Sequence, residues 1–290
     1  MQKAKTKKLK VAGHVPVVVD ARKASAAGQA SIEHLGNSIG GFLVECSKNE
    51  KELRAERLHL AAIPITASMY ATTLRAEFKN KLINAFDAAK AHDLASIMAK
   101  NKTWQTPTLT ALKIFSSIAD SSLAHDPKFE YLPAQLQTVI RKSPGKWWSQ
   151  FTKEDTASWR KLYELQLKIV KELYKAGAPF LAGSDNGAAI MILPGFGLHE
   201  ELSLLVLAGL PPFKALQAAT INPAVFLNKQ KELGTVEVGK LADLVLLDAN
   251  PLEDISNTRK INAVVANGRL LQRKDLDKLL EDARVQVKGK

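Results

Sequence analysis

His14, His34 and Asp185 are the three side chains whose types and places point to metal chemistry, because each follows a short β-prone run. Two imidazoles and a carboxylate suit Zn²⁺ or a similar divalent ion. Such an ion lowers the pKa of bound water towards about 7 and polarises a carbonyl. Asp185 would then take a proton from that water and deliver it to a leaving amine. His199, at the start of a helix and beside Glu200, is a candidate for touching substrate, and a plain helix N-terminal role suits it equally well. Its His-Glu-Glu-Leu context is not the two-histidine helical metal signature. Isolated histidines more often pack or hydrogen-bond than ligate, and His59, His92 and His125 read as surface residues.

The elements that must position these groups are legible in outline. Leu9–Gly13 is β-prone and ends at His14 and Pro16; Val17–Ala27 reads as a helix closed by Gly28. Gln29–Glu33 is strand-like and ends at His34, before Gly36 and the Gly40-Gly41 pair. Residues 47–100 are helical and charged, with Leu74, Phe78, Leu82 and Phe86 near the 3.6-residue period and Pro64 separating two helices. Thr103–Thr110 looks like a third strand. Asp126-Pro127, Pro133 and Ser143-Pro144-Gly145 punctuate an excursion holding Trp147, Trp148 and Phe151, aromatics that suit either a lid or ordinary packing. Trp159–Ala176 is an amphipathic helix stopped by Gly177, and Pro179–Gly183 forms a fourth strand with Asp185 at its end.

Helices at Leu198–Ala208 and Pro212–Ala219 complete an alternation of strands and helices that indicates parallel βα units. In α/β barrels the C-terminal ends of the strands form one shared mouth, so three such ends would bring distant residues together. After Asn222-Pro223 the pattern changes. Gly234–Val238, Ala242–Leu247, Ile261–Ala266 and Arg269–Leu271 are short strands with tight turns, and Asp275–Val285 is a terminal helix. The expected division is residues 1–228 for the α/β body and 229–290 for a small β element with its helix.

Composition bounds the alternatives. A chain of 290 residues with 46% hydrophobic and 24% charged positions is neither disordered nor collagen-like nor a disulfide scaffold. The net charge of +12 is spread along the chain apart from Lys3, Lys5, Lys7, Lys8 and Lys10, so it reads as solvated surface, with no nucleic-acid partner expected. Cys46 is the sole cysteine and reads as a buried, inert thiol. No apolar run approaches the roughly 20 residues of a membrane span, and no leader is visible, so the expectation is a soluble cytoplasmic chain without a membrane partner.

Val11-Ala-Gly-His14-Val-Pro16, Ala27-Gly-Gln-Ala-Ser-Ile-Glu-His34 and Leu181-Ala-Gly-Ser-Asp185 resemble the fifth-, sixth- and eighth-strand motifs of the amidohydrolase superfamily. Leu198-His-Glu-Glu-Leu202, the run from Ala215 to Ala224 with its Asn-Pro pair, and Gly239–Asp248 with Asn250-Pro251 follow in that family's order. The imidazolonepropionase-like and prolidase-like hydrolases are the branch most resembled. The resemblance implies a partial (β/α)8 barrel, equivalent to strands 5–8, plus the C-terminal part of a composite β domain. It implies His14 and His34 as metal ligands, Asp185 as ligand and proton shuttle, and one or two divalent ions, zinc foremost. It also implies hydrolysis of a carbon–nitrogen bond in an amide, cyclic amide or dipeptide.

Two family features are missing. No His-x-His pair occurs anywhere in the sequence, and Lys8 and Lys10 lie too near the fifth-strand motif to stand in for the carboxylated fourth-strand lysine. Four βα units cannot close an eight-stranded barrel, so both outer strands would present unpaired edges. A homo-oligomeric partner or a separate N-terminal half would cover them. The competing reading is therefore a catalytically incomplete amidohydrolase fragment that acts as a non-catalytic or partner-dependent subunit.

Overall fold

The computed structural model describes residues 1–36, 40–62, 76–117, 125–148, 152–187 and 191–288, with the side chains of residues 115, 142–148 and 288 outside that description. Pro64, Leu74 and Phe151 lie outside the described residues, as do the side chains of Trp147 and Trp148. The chain forms two compact units, Met1–Ile118 with Phe151–Leu181, and Ala119–Gln150 with Ala182–Lys290. The division expected at 228/229 separates kinds of β structure rather than compact bodies.

The first unit is mixed α/β. Its parallel sheet has the order β1 (Ala12–Gly13), β2 (Ser31–Glu33), β3 (Trp104–Thr106), with Ala12 opposite Ser31 and Ile32 opposite Gln105. The fourth strand expected over Pro179–Gly183 is reduced to one parallel bridge between Gln105 and Phe180. Its hydrogen bonds still follow the ladder: Gln105 N donates to Pro179 O (2.8 Å) and Leu181 N to Gln105 O (2.9 Å). Central Ile32 and Gln105 are each 1% exposed, as strands covered on both faces require.

The third strand is also shorter than Thr103–Thr110 suggested. It ends at Thr106, and Thr108 stands at the N-terminal boundary of a helix over Leu109–Ser116 without a side-chain cap, so threonines read for their β propensity lie partly at a helix start. The helix expected over Val17–Ala27 occupies only Ala21–Ala26, and the long helical stretch after Ser47 resolves into Glu50–Ala62, Ala76–Ala85 and Ala88–Lys100. Asp87 caps the last of these by accepting from Ala89 N (2.9 Å).

The main packing surface of this unit is the helix Lys153–Lys175. Thr152 and Asp155 form a capping box at its start, with Asp155 N donating to Thr152 Oγ1 (3.0 Å) and Thr152 N donating to Asp155 Oδ2 (3.0 Å). Leu162, Leu165, Ile169, Val170 and Leu173 are buried on one stripe against the helices Ala76–Ala85, Ala88–Lys100 and Leu109–Ser116. At about 1.5–3 kcal/mol for each large apolar side chain removed from water, this stripe is a principal source of the unit's stability.

In the second unit, Ala134–Trp148 is one helix that runs through Ser143-Pro144-Gly145, where the sequence suggested a break. Proline within a helix costs one backbone hydrogen bond and kinks or weakens it, and here the helical backbone persists past it. Helices Phe196–Leu207, Pro212–Ala219 and Ile221–Phe226 follow. An antiparallel sheet β4 (Leu244–Leu247), β5 (Ile261–Ala266), β6 (Arg269–Leu271) and the helix Arg273–Lys288 end the chain. Gly234–Val238 is not a strand. The other hairpin strands fall where expected, the last pair across the Asn267-Gly268 turn, where both residues have positive φ.

Gly41 connects this framework to the first candidate site. A Cβ there would lie 2.1 Å from Leu35 O, immediately after His34, and its φ is +23°. Gly41→Ala is therefore expected to destabilise the first unit by about 1–3 kcal/mol, read as a lower thermal or urea midpoint. An unchanged midpoint would show that this close approach is not a constraint.

Candidate metal centre

β1 and β2 are adjacent and parallel, so their C-terminal ends lie side by side. Gly13 takes φ +128°, and His14 follows. His34 opens a short 3₁₀ turn, His34–Gly36, directly after Glu33 ends β2. Val15 N donates to Gly36 O (2.8 Å), tying the two post-strand loops together. The imidazoles of His14 and His34 meet edge-on, with ring centroids 4.7 Å apart. Two histidines separated by 19 intervening residues are thus brought together, as their positions at strand ends implied.

The structure adds a third group that the sequence reading did not single out. One ligand-capable atom from each of His14, Glu33 and His34 lies within 4.8 Å of the others, with His14 exposed and the other two half-buried. Ligands around a tetrahedral zinc at ~2.0–2.2 Å stand roughly 3.3–3.5 Å apart, so modest side-chain adjustment suffices for these donors to share an ion. Two imidazoles and a carboxylate also match the donor preferences of zinc and related divalent metals.

In the first unit His34 (φ 52°), Leu35 (φ 51°) and Thr108 (φ 50°) are left-handed without being glycine, as is Asp185 (φ 54°) in the second. Such residues cost about 1–3 kcal/mol each and persist where the surroundings hold them. Thr108 touches His34.

Thr108 is buried at 3% exposure. Its hydroxyl donates to Pro107 O (2.7 Å), so the same oxygen accepts from His34 Nδ1–H, 2.5 Å away. The proton on Nδ1 leaves Nε2 as the ring nitrogen with the lone pair, the form needed for ligation. The signal for Thr108 was present in the sequence as a threonine between Pro107 and a new helix, a capping position.

In the second unit, Asp185 follows the bridge-forming strand and lies next to Ser184, which packs against Gly197 of the helix Phe196–Leu207. A Cβ on Gly197 would stand 3.0 Å from Ser184 Cβ, so glycine permits this close approach. His199, three residues from the start of that helix, carries a proton on Nδ1 and donates it. The Thr258 hydroxyl donates to Ile255 O (2.9 Å) and its oxygen receives His199 Nδ1–H (3.0 Å). Burial, and secondarily the Arg259 charge, lower the His199 pKa and so favour the neutral ring. His199 therefore has a structural link to the turn Ile255–Arg259, alongside its candidacy for substrate contact.

With this geometry in place, the chain can be set beside known proteins. Residues 133–271 match the family model described as the amidohydrolase family. The chain is thus similar to the amidohydrolase superfamily over that span. Among individual proteins, it is 26% identical to the ochratoxinase of Aspergillus niger over 211 residues, 71% of this chain and 41% of that one. It is 56% identical to the imidazolonepropionase of Symbiobacterium thermophilum over 78 residues, 27% of this chain and 18% of the other. In fold it is similar to the bottromycin amidohydrolase, with a TM-score of 0.67 at 20% identity over 99% of this chain and 55% of that one. The chain thus spans less than half the length of these two curated relatives.

Thr108→Val removes the acceptor for His34 Nδ1–H while retaining shape. It is expected to weaken zinc binding about 10–100-fold and to shift the His34 ring ¹⁵N resonances away from the Nδ1–H form, whereas Thr108→Ser retains both. Equal affinity and equal ring shifts in the valine variant would remove Thr108 from the site.

Proposed function

We propose that this chain supplies the metal-dependent hydrolytic half of an amidohydrolase, acting on the carbon–nitrogen bond of an amide, cyclic amide or dipeptide. The observation that carries this reading is the pairing of His14 and His34 at the ends of adjacent parallel strands, with His34 held in a ligating tautomer. Residues 1–228 would provide the part equivalent to strands 5–8 of an eight-stranded barrel, and 229–290 the accessory β element.

His14 and His34 would hold the ion, with zinc the first choice. When bound, a divalent cation supplies Lewis acidity, acidifying water and polarising a carbonyl. Asp185 would ligate as well, accept the proton released from water on its carboxylate and return it to the departing amine nitrogen. Its left-handed backbone, five residues after the Phe180 bridge, supports a positioned role. Neutral His199 would accept a hydrogen bond from a substrate N–H through Nε2, its Nδ1–H being committed to Thr258.

The direct test is metal analysis of the purified chain together with turnover of an N-acyl amino acid, a cyclic amide and an X-Pro dipeptide. The account expects bound zinc, hydrolysis of at least one class, and a loss of about 10²–10⁴-fold in kcat for Asp185→Asn without loss of fold. A folded chain with neither metal nor turnover would contradict it.

A second reading has its own observation. Leu244, Val245 and Leu246 of β4 are all exposed, and Val238, just before it, is fully so. Apolar residues along an edge strand suit a partner surface, so the same chain would be a partner-dependent subunit. Zinc bound without turnover, together with self-association or capture of a complementary amidohydrolase segment, would favour this reading over an autonomous enzyme.

A further inference from the structure

We propose that Glu33 is a metal ligand in addition to those already named, so that His14, Glu33 and His34 form a His₂-carboxylate set within the first unit; this rests on the reading that the two histidines bind a divalent ion.

Consecutive residues of a strand point to opposite faces, and Glu33 and His34 would diverge if β2 simply continued. It does not. The left-handed backbone at His34 and Leu35 turns the chain at the strand's last residue, and a carboxylate oxygen of Glu33 then lies within 4.8 Å of donor nitrogens on both histidines. Two features maintain that turn: the Leu35 carbonyl sits where only a glycine at position 41 leaves room, and Thr108 holds the His34 ring.

Glu33 itself has nothing else to do. It is half-buried, yet among the described residues no hydrogen bond or ion pair engages its carboxylate, and no hydrogen bond engages the His14 ring. A half-buried carboxylate facing two imidazoles, with no protein cation as partner, is the arrangement a dication would complete. One anionic and two neutral donors would by themselves leave the ion one net positive charge, which an Asp185 carboxylate would neutralise on joining. The donor set also stands on β1 and β2 alone, so it needs no ligand pair from a preceding strand.

The test uses the full chain stripped of metal and reloaded with Zn²⁺ or Co²⁺. Glu33→Gln is expected to weaken Zn²⁺ binding by at least about tenfold in chelator competition. Glu33→Cys loaded with Co²⁺ is expected to show a thiolate-to-cobalt charge-transfer band that the parent chain lacks and that His14→Ala abolishes. Native Cys46 cannot imitate this band, because it is buried and its thiol pKa is pushed up to about 12 by burial. The band is decisive if Glu33→Gln fails to fold. No band in folded Glu33→Cys, with the parent chain binding zinc and His14→Ala losing it, overturns the role of Glu33 and leaves the histidine site standing. A parent chain that binds no ion, indistinguishable from His14→Ala, overturns both.

Discussion

The left-handed turn at the end of β2 is the constraint on which the candidate centre depends. A β-strand disperses neighbouring side chains to opposite faces, and only a break in that alternation lets Glu33 and His34 reach the same place as His14. Non-glycine residues resist this backbone conformation, so the surroundings must hold it. They do so from two directions, through the close packing of Gly41 on the Leu35 carbonyl and through the Thr108 hydroxyl on the His34 ring. Local strain, a threonine hydroxyl from beyond the next strand and a metal-capable donor set are thereby one arrangement.

Much of this was legible in the sequence, though unevenly. Runs of β-prone residues ending in His14 and His34 were sufficient to place both at the mouth of a parallel sheet, and β1, β2 and β3 do pair in parallel and in order. The amphipathic stripe of Trp159–Ala176 and the turn at Asn267-Gly268 were read from periodicity and turn chemistry, which are local properties. Glu33 was not visible, because strand alternation argues against it and nothing in Ile-Glu-His-Leu signals a left-handed histidine. Thr108 was misread because threonine serves both strands and helix caps, and only tertiary context decides between them. Ser143-Pro144-Gly145 looked like a break, yet the helix Ala134–Trp148 passes through it.

The resemblance to the amidohydrolase superfamily fits the order of the motifs but leaves a chemical gap, since the His-x-His pair is absent from this sequence. A carboxylate on β2 changes that balance. It places a full charge next to two neutral imidazoles, and a single charged oxygen donor contributes strongly to holding a hard or borderline dication. The apolar exposure of β4 concerns a different property, the association of the chain, and is compatible with a metal centre built on the parallel sheet.

X-ray absorption at the zinc edge of the loaded chain tests the central claim most directly. The account predicts a first shell of nitrogen and oxygen at ~2.0–2.2 Å, with the outer-shell scattering of two imidazole rings that disappears in His34→Ala. A shell of water oxygens without imidazole scattering, or one unchanged by that substitution, would contradict it.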